Sequence, residues 1–155
     1  MSATLLKRTT FLVPDAVQAA KFYQTVFGWR IWYDNHVAAD YRFPPSGAAD
    51  GAKVRLIMLE SADPNLGKLG MMSYLEPPFD VGVLQKRTMV RMGEPILVMN
   101  TDDIDEVYRR ALTAGATIVT KPIDWTVPGH DGKTVNLRTV SMFDPNGIYM
   151  EVSQR

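Results

Sequence analysis

Two stretches of this chain run through the same signals in the same order, and that repetition constrains its fold more than any other feature. The first opens with Thr9-Thr10-Phe11-Leu12-Val13, a β-forming run closed by Pro14. Asp15 then stands where a helix cap belongs, and Ala16 to Phe27 predicts a helix stopped by Gly28. Ala19, Phe22, Tyr23 and Val26 fall on one stripe of that helix. The second opens with Ile96-Leu97-Val98-Met99, takes its cap from Thr101-Asp102-Asp103, and predicts a helix from Ile104 to Ala114 ended by Gly115. Ile104, Val107, Tyr108 and Ala111 repeat the buried stripe. Three strand candidates follow each helix: Trp29–Tyr33, Asp40–Phe43 and Val54–Leu59, then Thr117–Thr120, Val135–Met142 and Ile148–Val152. Each unit reads βαβββ, an α+β pattern with too few helices for a doubly wound parallel sheet.

The 155 residues are 46% hydrophobic, enough for one or two small cores. Seventeen basic and seventeen acidic residues cancel, so no global field recruits nucleic acid or an anionic membrane. Lys86-Arg87 with Arg91 is a short basic run, read as part of a solvated linker. No segment approaches the roughly 20 apolar residues of a membrane span. The absence of cysteine removes disulfides, thiolate metal sites and cysteine nucleophiles together. With no secretory pattern at the start, the expected location is the cytoplasm. Phosphate loops, dinucleotide fingerprints and nucleophile elbows are all missing from the sequence.

The chain's most chemically pointed run is Phe143-Asp144-Pro145-Asn146-Gly147-Ile148-Tyr149-Met150-Glu151-Val152. Asp-Pro-Asn-Gly is a strong turn signal. Strand alternation beyond it sends Ile148, Met150 and Val152 to one face and Tyr149, Glu151 and Ser153 to the other. Glu151 therefore faces either solvent or a cavity. A further loop, Trp125-Thr126-Val127-Pro128-Gly129-His130-Asp131-Gly132, has the aromatic, the glycines and the titratable side chain of a mobile lid.

Thr9–Val13 with Asp15, Phe22-Tyr23, Phe27-Gly28-Trp29, Asp102-Asp103-Ile104-Asp105, Ala114-Gly115, and Asp144-Pro145-Asn146-Gly147 through Glu151 occur in an order that resembles the vicinal oxygen chelate superfamily. That superfamily includes glyoxalase I, bleomycin-resistance proteins and extradiol dioxygenases. The resemblance implies a single glyoxalase-like domain over 1–155, with module 1 at about 5–75, a linker at about 76–93 and module 2 at about 94–155. It further implies two tandem βαβββ modules that curl a mixed sheet around a cavity, a small-molecule ligand, and a homodimer.

Metal-dependent members place one ligand on the first and one on the last strand of each module. Family spacing puts these positions at Arg8, about Met58, about Ile96 and Glu151. Only Glu151 is a metal-binding side chain; a guanidinium, a thioether and an isoleucine are poor stand-ins for the roughly four to six nitrogen or oxygen donors a first-row ion needs. The expectation is a site with no functional metal and no cofactor. His36 and His130 lie in loop-like sequence, where the plain reading is a solvated side chain.

Candidate roles follow. Glu151 is the candidate base, with His130 and Tyr149 as further catalytic candidates. Arg8, Met58, Ile96, Trp125 and Arg138 are candidate substrate-binding residues, Arg8 as a forked anchor for a ligand carboxylate or as an ion-pair partner of Glu151. Structural packing or surface placement is the plain alternative for Tyr149 and Arg138. The preferred function is a metal-independent, glyoxalase-like protein that binds, and as a lyase or isomerase transforms, a small aromatic or carbonyl compound in the cavity between the modules. One alternative is a divalent-metal-dependent lyase or dioxygenase with displaced ligands such as Glu60, Glu94, His130 and Glu151. Another is an antibiotic- or toxin-sequestering binding protein.

Overall fold

A computed structural model describes residues 4–44, 48–76 and 87–155. The chain divides into two compact units, 1–83 and 84–155, and each is a helix laid on a four-stranded sheet.

The first unit contains β1 (Arg8–Leu12), α1 (Ala16–Phe27), β2 (Arg30–Ala38), β3 (Lys53–Glu60) and β4 (Lys68–Glu76). Its sheet runs β1-β4-β3-β2, with β1 parallel to β4 and the other pairs antiparallel. Asp15 caps α1 by accepting from the Val17 and Gln18 amides at 2.8 and 3.1 Å, which satisfies donors the first turn leaves orphaned. The helix ends where Gly28 takes a left-handed conformation, φ 69°. Its apolar stripe, Ala16, Ala19, Ala20, Phe22, Tyr23 and Val26, is buried. The Ala16 amide donates to Ser73 Oγ at 3.2 Å, which marks the helix-bearing face of β4. On that face Ile57 pairs with Met71 and Leu59 with Leu69, and all four are buried.

The predicted strand at Asp40–Phe43 is instead a turn. The Asp40 carboxylate accepts from the Arg42 amide at 2.9 Å and also holds the Arg42 guanidinium, while the Phe43 amide donates to the Asp40 carbonyl at 2.9 Å. A side chain that satisfies its own backbone in this way favours a turn over a ladder. The unit's last strand is therefore β4, and Met71 and Met72 lie within it. A second small core of Ala39, Ala52, Val54, Met72 and Tyr74 packs on the face away from α1.

The second unit contains β5 (Leu97–Asn100), α2 (Ile104–Thr113), β6 (Thr117–Pro128), β7 (Thr134–Phe143) and β8 (Tyr149–Gln154), in sheet order β5-β8-β7-β6. Asp103 caps α2 through the Glu106 amide at 3.0 Å, and Gln154 accepts from the Ile104 amide at 3.0 Å. The helix-side core is Val140, Met142, Met150 and Val152, all fully buried. In the β7–β8 turn, Asp144 accepts from the Asn146 and Ile148 amides at 2.8 and 2.9 Å.

β6 runs well beyond the predicted Thr117–Thr120. Two register shifts between Ile118 and Ile123 accommodate Pro122, and because β6 is an edge strand the missing amide costs no ladder bond. The proposed lid is thereby corrected: Trp125 to Pro128 belong to β6, and a turn closed by Gly129 N–H to the Lys133 carbonyl at 2.7 Å joins it to β7. Most of the linker, 77–86, lies outside the described residues. No helix among the described residues is long and apolar enough to cross a membrane.

Candidate functional site

On β8, alternation aims Glu151 away from α2, as expected. Ser141 of β7 and Val98 of β5 flank it by register. Ser141 is buried, whereas Val98 is 71% exposed, so the carboxylate stands between a small hydroxyl and an open apolar edge. Tyr149 Oη donates to Glu151 Oε1 at a long 3.4 Å. Phe143 pairs with Tyr149 across β7 and β8, their ring centroids 5.1 Å apart. Further along this face, Trp125 Nε1 donates to Thr139 Oγ1 at 2.8 Å, and Thr139 bonds to Ser153 Oγ at 2.8 Å. Trp125 thus shares the face of Glu151, at the far edge of the sheet.

Arg138 does not share it. Its guanidinium Nη1 donates to Asp105 of α2 at 2.7 Å, with Asp124 at 3.8 Å. The Asp105 hydrogen bond, opposed by burial and aided by the charges of Asp105 and Asp124, raises its pKa above the ordinary arginine value. Arg138 lies three residues from Ser141, an odd step along β7, and alternation carries it to the helix side. At the end of the sheet it nevertheless meets Trp125 in one open groove of about 490 Å³, lined also by Asp124, Thr126, Asn136, Leu137, Gln154 and Arg155. His130 is exposed in the β6–β7 turn, and Ile96 is exposed just before β5.

In the first unit, Arg8 and Thr10 project from β1 on the face away from α1. Arg8 Nη1 reaches Met58 Sδ at 3.4 Å, so these two predicted residues do meet. A thioether is a weak acceptor, and Arg8 has no carboxylate partner among the described residues. Met58 lies on β3, however, and not on the last strand as the spacing implied. The unit's counterpart of Glu151 comes from register. Val98 lies opposite Glu151, and Thr10, at the same offset before its helix-capping aspartate, lies opposite Gly70. A Cβ placed on Gly70 would stand 2.6 Å from Thr10 Oγ1 and 3.1 Å from Thr10 Cγ2. Thr10 therefore leaves no room for a side chain at position 70.

Beside Gly70 lies a charge cluster that sequence reading missed. Glu60 is 3% exposed and paired with Arg30 and, at 3.3 Å, with Lys68. Lys68 Nζ in turn sits 4.6 Å from the centroid of the Trp32 ring. A carboxylate withdrawn from water needs such compensation, and a lysine stem readily spans an aromatic face to supply it. Among the described residues, Arg8 adds a third cation to the face that holds the buried Glu60.

These donors do not fit a catalytic metal ion. No group of three or more His, Asp or Glu among the described residues is arranged to hold one. Of the displaced ligands considered, Glu60 is held by two cations and Glu94 by Arg87 and the Arg91 amide. The Arg87 hydrogen bond, then that of the Arg91 amide, lowers the Glu94 pKa and keeps it committed as an anion.

Paired βαβββ units, each with its first strand parallel to its last, define the class of the protein. The family model for the glyoxalase/bleomycin resistance protein/dioxygenase superfamily matches residues 5–152, and the chain belongs to that superfamily. Among solved structures, a glyoxalase family protein from Bacillus cereus aligns with TM-score 0.72 and 18% identity over 99% of this chain and 97% of its own. Glyoxalase I of Leishmania major, described as trypanothione-dependent, aligns with TM-score 0.60 and 13% identity over 98% and 87% of the two chains. The fosfomycin resistance protein FosX of Mesorhizobium loti gives TM-score 0.55 and 15% identity over 97% and 91%. At these identities the likeness is one of fold. No curated protein sequence matches the chain.

Proposed function

We propose that the protein is a metal-independent member of its superfamily that binds a small aromatic or carbonyl compound carrying an anionic group, with Arg8 as the anchor for that group. The observation that carries the reading is the Arg8 guanidinium, exposed and without an acidic partner among the described residues. Its planar fork suits a carboxylate, and Glu60 is already occupied by Arg30 and Lys68. Trp32 and Met58 add apolar surface on the same face. In the second unit, Glu151 is a base suited to a lyase- or isomerase-type step in which a proton leaves the carbon next to a carbonyl group, and Tyr149 orients the carboxylate. Arg138, Ile96 and His130 have no part in this assignment. The active form is a homodimer.

Thermal-shift measurements with phenylpyruvate and 4-hydroxybenzoate, each compared with its methyl ester, test the anchor. A ligand at about 100 times its Kd stabilises the native state by ~2.7 kcal/mol. The acids should raise Tm for the wild type and lose that effect in Arg8→Met, while the esters give no shift in either protein. Equal shifts in wild type and Arg8→Met would refute Arg8 as the anchor. Solvent deuterium exchange at the phenylpyruvate methylene, followed by NMR, tests the base: wild type should accelerate it and Glu151→Gln should not.

A further inference from the structure

We propose that Arg87 is a positioning residue, which sets the ring of Tyr149, and through it Glu151, by gripping the β7–β8 turn and covering Phe143. Its functional meaning rests on the reading of Glu151 as a working group; the geometry stands by itself. Arg87 lies ahead of β5 and belongs to the second unit. Its Nη1 donates to the Gly147 carbonyl at 3.3 Å and its Nη2 to the Met89 carbonyl at 3.2 Å. Nη2 is also ion-paired with Glu94, which accepts from the Arg91 amide at 2.9 Å. The segment from 87 to 94 is therefore folded around one guanidinium and clasped to the turn that precedes β8.

Gly147 is fitted to this clasp in two ways. Its φ of 79° favours glycine, and a Cβ there would stand 2.6 Å from Arg87 Cδ, so the arginine stem lies directly against the turn backbone. The Arg87 Cζ sits 5.7 Å from the centroid of the Phe143 ring, within cation–π range. Phe143 is 2% exposed and packs on Tyr149 at 5.1 Å between centroids, and Tyr149 Oη meets Glu151 Oε1 at 3.4 Å. The chain of contact from Arg87 to Glu151 is thus continuous, with one aromatic pair between two charged groups. Close-packed side chains transmit a displacement of this kind because few voids exist to absorb it.

The test uses the full chain with ring-13C-labelled tyrosine and 13C-labelled methionine and valine methyls. The Tyr149 cross-peak is identified by its loss in Tyr149→Phe, and Glu151→Gln should move it by removing the charge beside the Tyr149 hydroxyl. Arg87→Met, which keeps the stem and removes the charge, should move the Tyr149 cross-peak while the Met150 and Val152 methyls on the opposite face of β8 stay in place. Arg87→Lys should return it part of the way. Glu94→Gln, a milder release of the same clasp, should move it in the same direction as Arg87→Met, and it answers the question if Arg87→Met fails to fold. A Tyr149 cross-peak unmoved in both Arg87→Met and Glu94→Gln would overturn the proposal, as would methyl shifts on the opposite face as large as the tyrosine shift. If Tyr149 moves as expected while no ligand effect depends on Glu151, the positioning stands and the reading of Glu151 falls.

Discussion

Adding one methyl group at Gly70 should destabilise the first unit, and removing the Thr10 side chain should reverse that effect. The new Cβ would stand 2.6, 3.1 and 3.2 Å from Thr10 Oγ1, Cγ2 and Cβ, whereas comfortable carbon contacts lie at about 3.5–4.0 Å. Rotation of Thr10 cannot clear both γ atoms, because both are attached to the same Cβ. Overpacking of this size costs ~1–3 kcal/mol. Gly70 has no positive φ, so alanine also restricts the unfolded chain and returns ~0.4–1 kcal/mol. The net expectation for Gly70→Ala is a loss of ~1–2 kcal/mol. In a Thr10→Ala background only the contact at 3.2 Å remains, and the same substitution should be neutral to slightly stabilising, a coupling of ~1–2 kcal/mol. Urea unfolding of the four proteins measures this, with an unchanged m-value as the check that only stability moved. Additive effects, or a Gly70→Ala protein as stable as wild type, would refute the claim that Thr10 occupies the space next to Gly70.

Three further outcomes are expected. Glu60→Gln should lose ~1–3 kcal/mol by chemical denaturation, less than for a fully buried pair because Arg30 reaches solvent; a neutral result would show that Lys68 and Arg30 do not depend on the carboxylate. Glu106 is held by hydrogen bonds from Arg109 and Arg110, which lower its pKa from 4.5 to about 2. Its contribution is therefore full above pH 4.5 and lost as pH falls towards 2. Glu106→Gln should flatten acid destabilisation across that window in low salt, with a smaller difference at high salt. Asp15→Ala, which removes the cap on the Val17 and Gln18 amides, should cost ~1 kcal/mol of thermal or chemical stability.

The helices were legible because apolar stripes at helical spacing sit between a capping aspartate and a glycine, and both signals act locally. The last strand of the first unit was not, since glycine and methionine in Leu69-Gly70-Met71-Met72 carry little β signal. An isolated glycine in a strand often marks close backbone approach, and Gly70 is such a glycine. Reading Asp40–Phe43 as a strand then displaced the count, and Met58 was assigned a place that belongs to Gly70. Glu151 and Tyr149 were placed correctly by alternation, which depends only on parity within one strand. The same parity, carried from Ser141, turns Arg138, a candidate substrate-binding residue, to the helix side. Lys68 over Trp32 and Arg87 over Phe143 join residues far apart in sequence, and no local pattern announces them.

The central proposal is that this member of the superfamily works without a bound metal: in the first unit Arg8 and Gly70, and in the second an apolar edge beside Glu151, offer an ion few donors. Elemental analysis of protein purified without added ions, repeated after incubation with zinc, nickel, iron and manganese and desalting, addresses it most directly. Far less than one equivalent of any metal per chain, with the thermal shift from phenylpyruvate unchanged by chelator, is the predicted result. Close to one equivalent of a single metal, lost together with that shift on chelation, would contradict the account.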